Sequence, residues 1–223
     1  MVQHSTLRQF WRRYLRPTRP EDISTPEGRK NALHFMRWHD HGILRGIWHN
    51  QHQITPGVWR SNYPDDARIA KLAQMGIANI ITLRGTTTTP WLLLETEACT
   101  RHGIALHAIP MRSAAAPRRE TLQELIALFR KLDRPLLMHC KSGADRTGLA
   151  SAIYLMVIEG QPLPVARRML SLRYLHAHFL KAGVLDMLLD DFARAGHADF
   201  ESWLANDYDA ADLQARFDGQ NTP

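Results

Sequence analysis

From Ile54 onward the apolar residues follow two alternating rhythms. Short continuous runs recur at Val58-Trp59-Arg60-Ser61, Ile77–Leu83, Ile104–Ile109 and Pro135-Leu136-Leu137-Met138. Glycine, proline or charge bounds each of them, as buried strands require. Between the runs, apolar residues step by three and four, which predicts helices. Such segments cover 66–75 (Ile69, Leu72, Ala73), 91–102, 117–132 (Leu122, Leu125, Ile126, Phe129) and about 146–158 (Leu149, Ile153, Met156, Val157). Strand alternating with helix predicts an α/β fold with a mainly parallel central sheet flanked by helices. Further helices are expected over 165–174 and 179–192, the latter built on Val184, Leu188 and Leu189. Phe200, Trp203, Leu204, Tyr208, Leu213 and Phe217 predict short C-terminal helices folded back on the body. At the front, Leu7, Phe10, Trp11, Tyr14 and Leu15 share one helical face that Pro17 stops. Residues 18–29 read as irregular, and 43–48 as a framework element. The expected organisation is an N-terminal extension (1–53), a core (54–175) and a C-terminal helical segment (176–223).

Length and composition add bounds. A chain of 223 residues with 44% apolar content makes one well-filled domain with appendages. Two cysteines, Cys99 and Cys140, make no disulfide framework. Cys99 reads as a small core residue. No apolar run approaches the length of a membrane span, and the N-terminus lacks the pattern of a secretory signal, so a cytoplasmic protein is expected. The net charge of +6 is unevenly placed. Residues 1–30 carry seven basic and three acidic side chains, whereas nine acids and two arginines follow from Asp186. Such a basic front attracts anionic partners. The helix at 7–16 either packs its aromatic stripe on the body or lies on the anionic inner face of a membrane. Basic and aromatic residues do not interleave as in a nucleic-acid-binding module. His34, His39, His41, His49 and His52 lie among tryptophans without helical ligand spacing, so core histidines are expected, and neither metal nor cofactor.

The chemistry concentrates in His139-Cys140-Lys141-Ser142-Gly143-Ala144-Asp145-Arg146-Thr147-Gly148, between the last strand and its helix. Backbone amides of a tight loop converge on its centre, and a helix N-terminus adds donors and a positive dipole end. Gly143 permits the turn and Gly148 leaves the first helical turn uncrowded. In such a field Cys140 favours the thiolate. The amides of Lys141, Ser142, Gly143 and Ala144 and the planar fork of Arg146 then hold a phosphate. Thr147 is placed to donate to the sulfur, to cap the helix or to bond to backbone. His139 is expected to orient the loop.

This string resembles the phosphate loop H-C-x-x-G-x-x-R-(S/T)-G of the cysteine-dependent protein tyrosine and dual-specificity phosphatases. The run Arg60-Ser61-x-x-Pro64, followed by Gly76-Ile77-x-x-Ile80-Ile81-x-Leu83-Arg84-Gly85, resembles the small atypical dual-specificity branch, with Tyr63 and Arg84 near the rim. The resemblance covers roughly 54–174. It implies a hydrolase of phosphomonoesters that works through a phosphocysteine, with phosphorylated protein as the default partner. In the family, an aspartate on the loop after the preceding strand protonates the leaving oxygen. The matching stretch, Pro110–Pro117, has no carboxylate. Asp145 is the substitute candidate, with helix capping or an ion pair as its alternative role. Glu95, Glu97, Asp65 and Asp66 stand behind it. Lys141 and Arg112 add charge suited to a substrate with more than one phosphate. A phosphoinositide, inositol phosphate or other small phosphorylated ligand is therefore the runner-up, and a phosphate-binding module with little turnover is third.

Overall fold

The computed structural model describes residues 23–38, 48–85, 89–112 and 114–220. Five strands form one sheet: β1 (His52–Thr55), β2 (Val58–Ser61), β3 (Asn79–Thr82), β4 (Ala105–Ala108) and β5 (Leu136–His139), in the order β1-β2-β5-β3-β4. The hairpin pair β1–β2 is antiparallel and every other pair is parallel. β5 lies in the centre, registered on β2 (Ser61 opposite His139) and on β3 (Thr82 opposite His139). All four of its residues are buried, because helices cover both faces of a parallel sheet.

The helices follow from their sequences. α1 (Pro26–Trp38) opens with proline, whose missing N–H costs nothing in the first turn. α2 (Asp66–Gln74) is capped by Asp65, which accepts from the Arg68 amide at 3.0 Å. α3 (Pro90–Arg101) again starts on proline. α4 (Arg119–Lys131) buries Leu122, Leu125, Ile126 and Phe129, and α5 (Asp145–Val157) is buried along nearly its whole length. α6 (Leu163–Ala166) is a single turn, and α7 (Val184–Ala195), α8 (Phe200–Asn206) and α9 (Ala210–Gln220) complete the chain. The core joins the C-terminal helices to the sheet: Val184, Leu188, Trp203, Tyr208 and Leu213 pack in one cluster with Leu125, Leu136 and Ile153. Tyr208 also donates through its hydroxyl to the Pro117 carbonyl at 2.6 Å.

Several expectations change. Pro26 and Gly28 do not mark an irregular stretch but the opening of α1, which docks on α3 through stacked Phe35 and Trp91 and the ion pair Arg29–Glu97 (2.7 Å). The sheet takes in His52 and Gln53 through β1. The segment 165–174 is not one helix. It breaks into the end of α6 and two 3-10 turns, because Leu170 and Ser171 leave helical geometry between them. The helix expected from Phe179 begins only at Val184, and Phe179 is 70% exposed. The helix predicted at 7–16, His39, His41 and residues 43–47 lie outside the described residues.

Candidate active site

β5 carries Cys140 to the C-terminal edge of the sheet between β2 and β3, where the strand order reverses direction and parallel sheets open a crevice. Residues 140–144 form the loop, and α5 starts at Asp145. Gly143 sits at φ +72°. A Cβ there would lie 2.7 Å from Ser61 C and O and from Asn62 N, so only glycine lets the loop press on the end of β2. At Gly148 a Cβ would meet Leu170 Cδ2 at 2.7 Å and Met169 O at 2.8 Å, so helix and following turn share the same tight contact.

Four consecutive loop carbonyls are held from outside. Lys141 O accepts from the Tyr63 amide (3.3 Å) and Ser142 O from Asn50 Nδ2 (3.1 Å). Gly143 O accepts from Arg60 Nη2 (2.6 Å), and Ala144 O from the same nitrogen (3.3 Å) and from the Gly148 amide (2.8 Å). In a planar trans peptide the next N–H points opposite to the carbonyl. The amides of Ser142, Gly143 and Asp145 are thereby turned toward the loop's interior, the arrangement that receives an oxyanion, while the Ala144 amide donates to Ser142 Oγ at 3.3 Å.

Arg60 is the largest fully buried side chain of the protein's described residues. Its second nitrogen donates to Met169 O (2.8 Å), and its guanidinium lies over the Tyr174 ring at 3.8 Å. Burial lowers its pKa to about 10, against the opposing pull of Tyr174 and Cys140. It remains a cation behind the loop.

Cys140 is 1% exposed. Burial pushes its thiol up. Arg146, the Thr147 hydroxyl and amide, and the Gly143 amide together outweigh that, and the net displacement is downward. The Thr147 hydroxyl has no oxygen or nitrogen partner, which leaves it to the sulfur. Arg146 Nη1 is fixed by the carbonyls of Leu83 (3.1 Å) and Met111 (3.2 Å), at the ends of β3 and β4. Its buried Nε has no partner among the described residues and is left able to donate. Cys99 is the contrast. Burial, with Glu95 adding to it, pushes this thiol up to about 12.

His139 and Glu95 form a buried pair beneath the loop, with Nε2 2.5 Å from Oε1 and neither side chain exposed. His139 Nδ1 lies 3.3 Å from Cys140 O, so the ring steadies the strand end. Tyr63 is not at an exposed rim: it packs edge-on to His139 (5.8 Å), and its hydroxyl donates to Trp91 O (2.9 Å). Arg84 lies over Tyr63 and Trp91 at 5.0 and 4.7 Å. Lys141 and Ser142 are half-buried, while Arg112 is exposed beside Met111.

Asp145 meets neither an arginine nor its own helix amides as its partner. Its Oδ1 lies 2.8 Å from His176 Nδ1, and His176 Nε2 lies 2.6 Å from Asp186 Oδ2 on α7. His176 is 2% exposed. Burial would lower its pKa, but the hydrogen bonds its ring donates to Asp145 and Asp186 raise it to about 9. The other candidate acids are also committed: Glu97 to Arg29, Asp65 to the α2 cap and Asp66 to Arg101 (2.7 Å).

Arg60 and His176 carry no local signal of these roles. The Arg60-Ser61 pair belongs to the R-S-x-x-P run, but nothing in the surrounding sequence marks an arginine as buried. His176 lies just past the stretch of resemblance.

Residues 59–182 match the family described as Swiss Army Knife protein, DSP-PTPase phosphatase domain (PTP-SAK). The dual specificity protein phosphatase TpbA of Pseudomonas aeruginosa is 28% identical over 119 residues, 50% of this chain. The chain spans about half the length of the curated relatives it matches, 48% for TpbA. Among solved structures, a putative phosphatase (DUF442) from Shewanella putrefaciens CN-32 aligns with TM-score 0.54 and 18% identity, over 66% of this chain and 92% of that one. The core catalytic domain of the PP-IP phosphatase SIW14 of S. cerevisiae aligns with TM-score 0.50 and 19% identity, over 66% and 89%. Both share the fold. With the phosphate loop inside a matched segment that spans more than half of its length, the chain belongs to the PTP-SAK family of DSP-PTPase phosphatase domains.

Proposed function

We propose that the protein is a cysteine-dependent phosphatase that hydrolyses phosphomonoesters through a phosphocysteine, with phosphotyrosine-bearing protein as its default substrate. The observation that carries this reading is Cys140: a sulfur almost wholly out of water, yet displaced toward the thiolate by Arg146, Thr147 and the loop amides. Its thiolate attacks phosphorus in line while Arg146 and the inward-facing loop amides hold the equatorial oxygens. Water then attacks the phosphocysteine, and the Thr147 hydroxyl stabilises the departing sulfur. The related TpbA, named a dual specificity protein phosphatase, supports the protein-substrate default.

The test is hydrolysis of p-nitrophenyl phosphate and of a phosphotyrosine peptide by the reduced full chain, with Cys140→Ser abolishing both and wild type trapping phosphate on Cys140. A wild type that binds vanadate but turns over neither ester is the phosphate-binding module instead. The exposed Arg112 favours a second phosphate on the substrate, so an inositol polyphosphate is the competitor to run beside the peptide. A nucleophilic thiolate needs reducing conditions, which favours a cytoplasmic location. Contact of residues 7–16 with an anionic bilayer is tested by co-sedimentation with vesicles containing phosphatidylglycerol.

A further inference from the structure

Asp145, His176 and Asp186 form a continuous hydrogen-bonded chain from the catalytic loop to α7. Its protonation can be worked out from donor counting. A neutral imidazole has one donor and one acceptor nitrogen, and an ionised carboxylate only accepts. Both ring nitrogens of His176 face carboxylate oxygens, at 2.8 and 2.6 Å. With both carboxylates ionised, the ring fills both bonds only as an imidazolium. The opposite arrangement needs a protonated carboxyl on one side and a neutral ring buried against it. Two acids around one base favour the cation. The nearby Arg167 does not compete for either carboxylate bond: it donates to the Asp186 main-chain carbonyl (3.3 Å) and pairs with Asp190.

We propose that His176, fixed as an imidazolium between Asp145 and Asp186, is a positioning residue that keeps Asp145 a hydrogen-bond acceptor, so that the first chemical step proceeds without a proton from the loop aspartate. This inference rests on the phosphatase reading above and deepens it. In that step the Cys140 sulfur forms the S–P bond, the P–O ester bond breaks, and its electron pair leaves on the alcohol oxygen, which takes a proton from solvent afterwards. In the second step water forms the new P–O bond, the S–P pair returns to sulfur, and the water's proton passes to the phosphate product. No further reactant is needed.

The consequence is substrate selection. Without a donor, the oxygen must depart as a stable anion, as a phenolate or an anhydride oxygen does and an alkoxide does not. The remaining acids agree: Glu95 is sealed against His139, and the segment 110–117 carries no carboxylate. Phosphotyrosine is hydrolysed, and phosphoserine, phosphothreonine and inositol monoesters are poor substrates.

Two measurements test this on the full chain. Nitrogen-15 histidine spectra of the resting protein report His176 without turnover. Both ring nitrogens should be protonated at pH 7, and that signature should vanish in His176→Asn. A neutral ring at pH 7 overturns the proposal. The second measurement is kcat/KM for phosphate esters of graded leaving-group pKa. A general acid contributes about 10²–10⁴-fold. The wild type should therefore disfavour alkyl esters by at least about 100-fold relative to phenyl phosphate, and Asp145→Asn should leave the steepness of the series unchanged. Alkyl and aryl esters within about tenfold, with the alkyl rate lost in Asp145→Asn, would show that Asp145 gives the proton. That result overturns the inference. Phosphotyrosine peptide and an inositol pyrophosphate, run as separate arms, distinguish the phenolic from the anhydride source. Failure to hydrolyse any ester with Cys140 reduced defeats the phosphatase reading itself, and the histidine spectra still decide the protonation of the clamp.

Discussion

Arg60→Met is the perturbation that most directly tests how the loop is held. Arg60 is fully buried and donates to Gly143 O and Met169 O, with a longer contact to Ala144 O. Methionine fills similar volume and adds no donor. Ala144 O keeps the Gly148 amide, but the buried Gly143 O and the part-buried Met169 O each lose a charged partner. Each such orphan costs about 1–3 kcal/mol, for a gross loss of about 2–6 kcal/mol. Removing a buried guanidinium also relieves its desolvation, so a net loss of about 2–4 kcal/mol is expected. A structural loss alone would leave chemistry at the loop intact in the folded fraction. The geometry predicts otherwise. Once Gly143 O is free to turn, the loop backbone no longer keeps its shape around the centre, and the cation behind Cys140 is gone. Urea unfolding gives the stability change, vanadate titration gives oxyanion affinity, and alkylation rate against pH gives the Cys140 pKa. Vanadate should bind at least about tenfold more weakly, and the thiol should titrate higher. Arg60→Lys should recover part of the charge effect but not the forked geometry. Stability within about 0.5 kcal/mol of wild type, with vanadate affinity unchanged, would refute the account.

Other outcomes follow from single contacts. Gly143→Ala meets backbone of residues 61 and 62 at 2.7 Å and a strained φ, so it should fold less stably and lose vanadate binding; calorimetry and titration check this. Glu95→Ala leaves His139 Nε2 buried without its neighbouring carboxylate and should cost about 1–3 kcal/mol in urea, with Glu95→Gln milder. The His176 pKa rises from 6.5 to about 9 on folding. Its stabilisation, about 3 kcal/mol, is therefore complete below pH 6.5 and disappears as pH climbs through 9. Urea midpoints across pH 6–10 should fall for wild type over that window and stay flatter for His176→Asn. With Cys99 pushed up to about 12 and Cys140 displaced the other way, iodoacetamide at pH 7 should add one label, on Cys140, by peptide mass spectrometry.

What the sequence disclosed and what it withheld divide along a physical line. β3 and β5 are continuous apolar runs because both sheet faces are covered, and α4 shows its buried face at regular spacing. Such local patterns are visible without a partner. The phosphate loop was legible for the same reason, since its glycines, cysteine and arginine all act within ten residues. The elements that failed depend on distant contacts. Pro26 and Gly28 join a helix because Phe35 and Arg29 find Trp91 and Glu97 on α3. The expected helix over 165–174 is broken where Met169 O and the Leu170 side chain close on Arg60 and Gly148. The carbonyls of the loop are held by Asn50, Arg60 and Tyr63, some 80 to 90 residues upstream. Asp145 is tied to Asp186, forty residues downstream, through a histidine that no spacing rule singles out. The loop's sequence thus names the chemistry that it can perform. The proton inventory around it, and with it the range of leaving groups, is written in residues that only the fold brings together. Exchanging His176 therefore bears on specificity more directly than exchanging any residue of the exposed rim, because it removes the hydrogen-bonded partner of the aspartate that begins α5 while leaving Cys140, Arg146 and the loop amides in place.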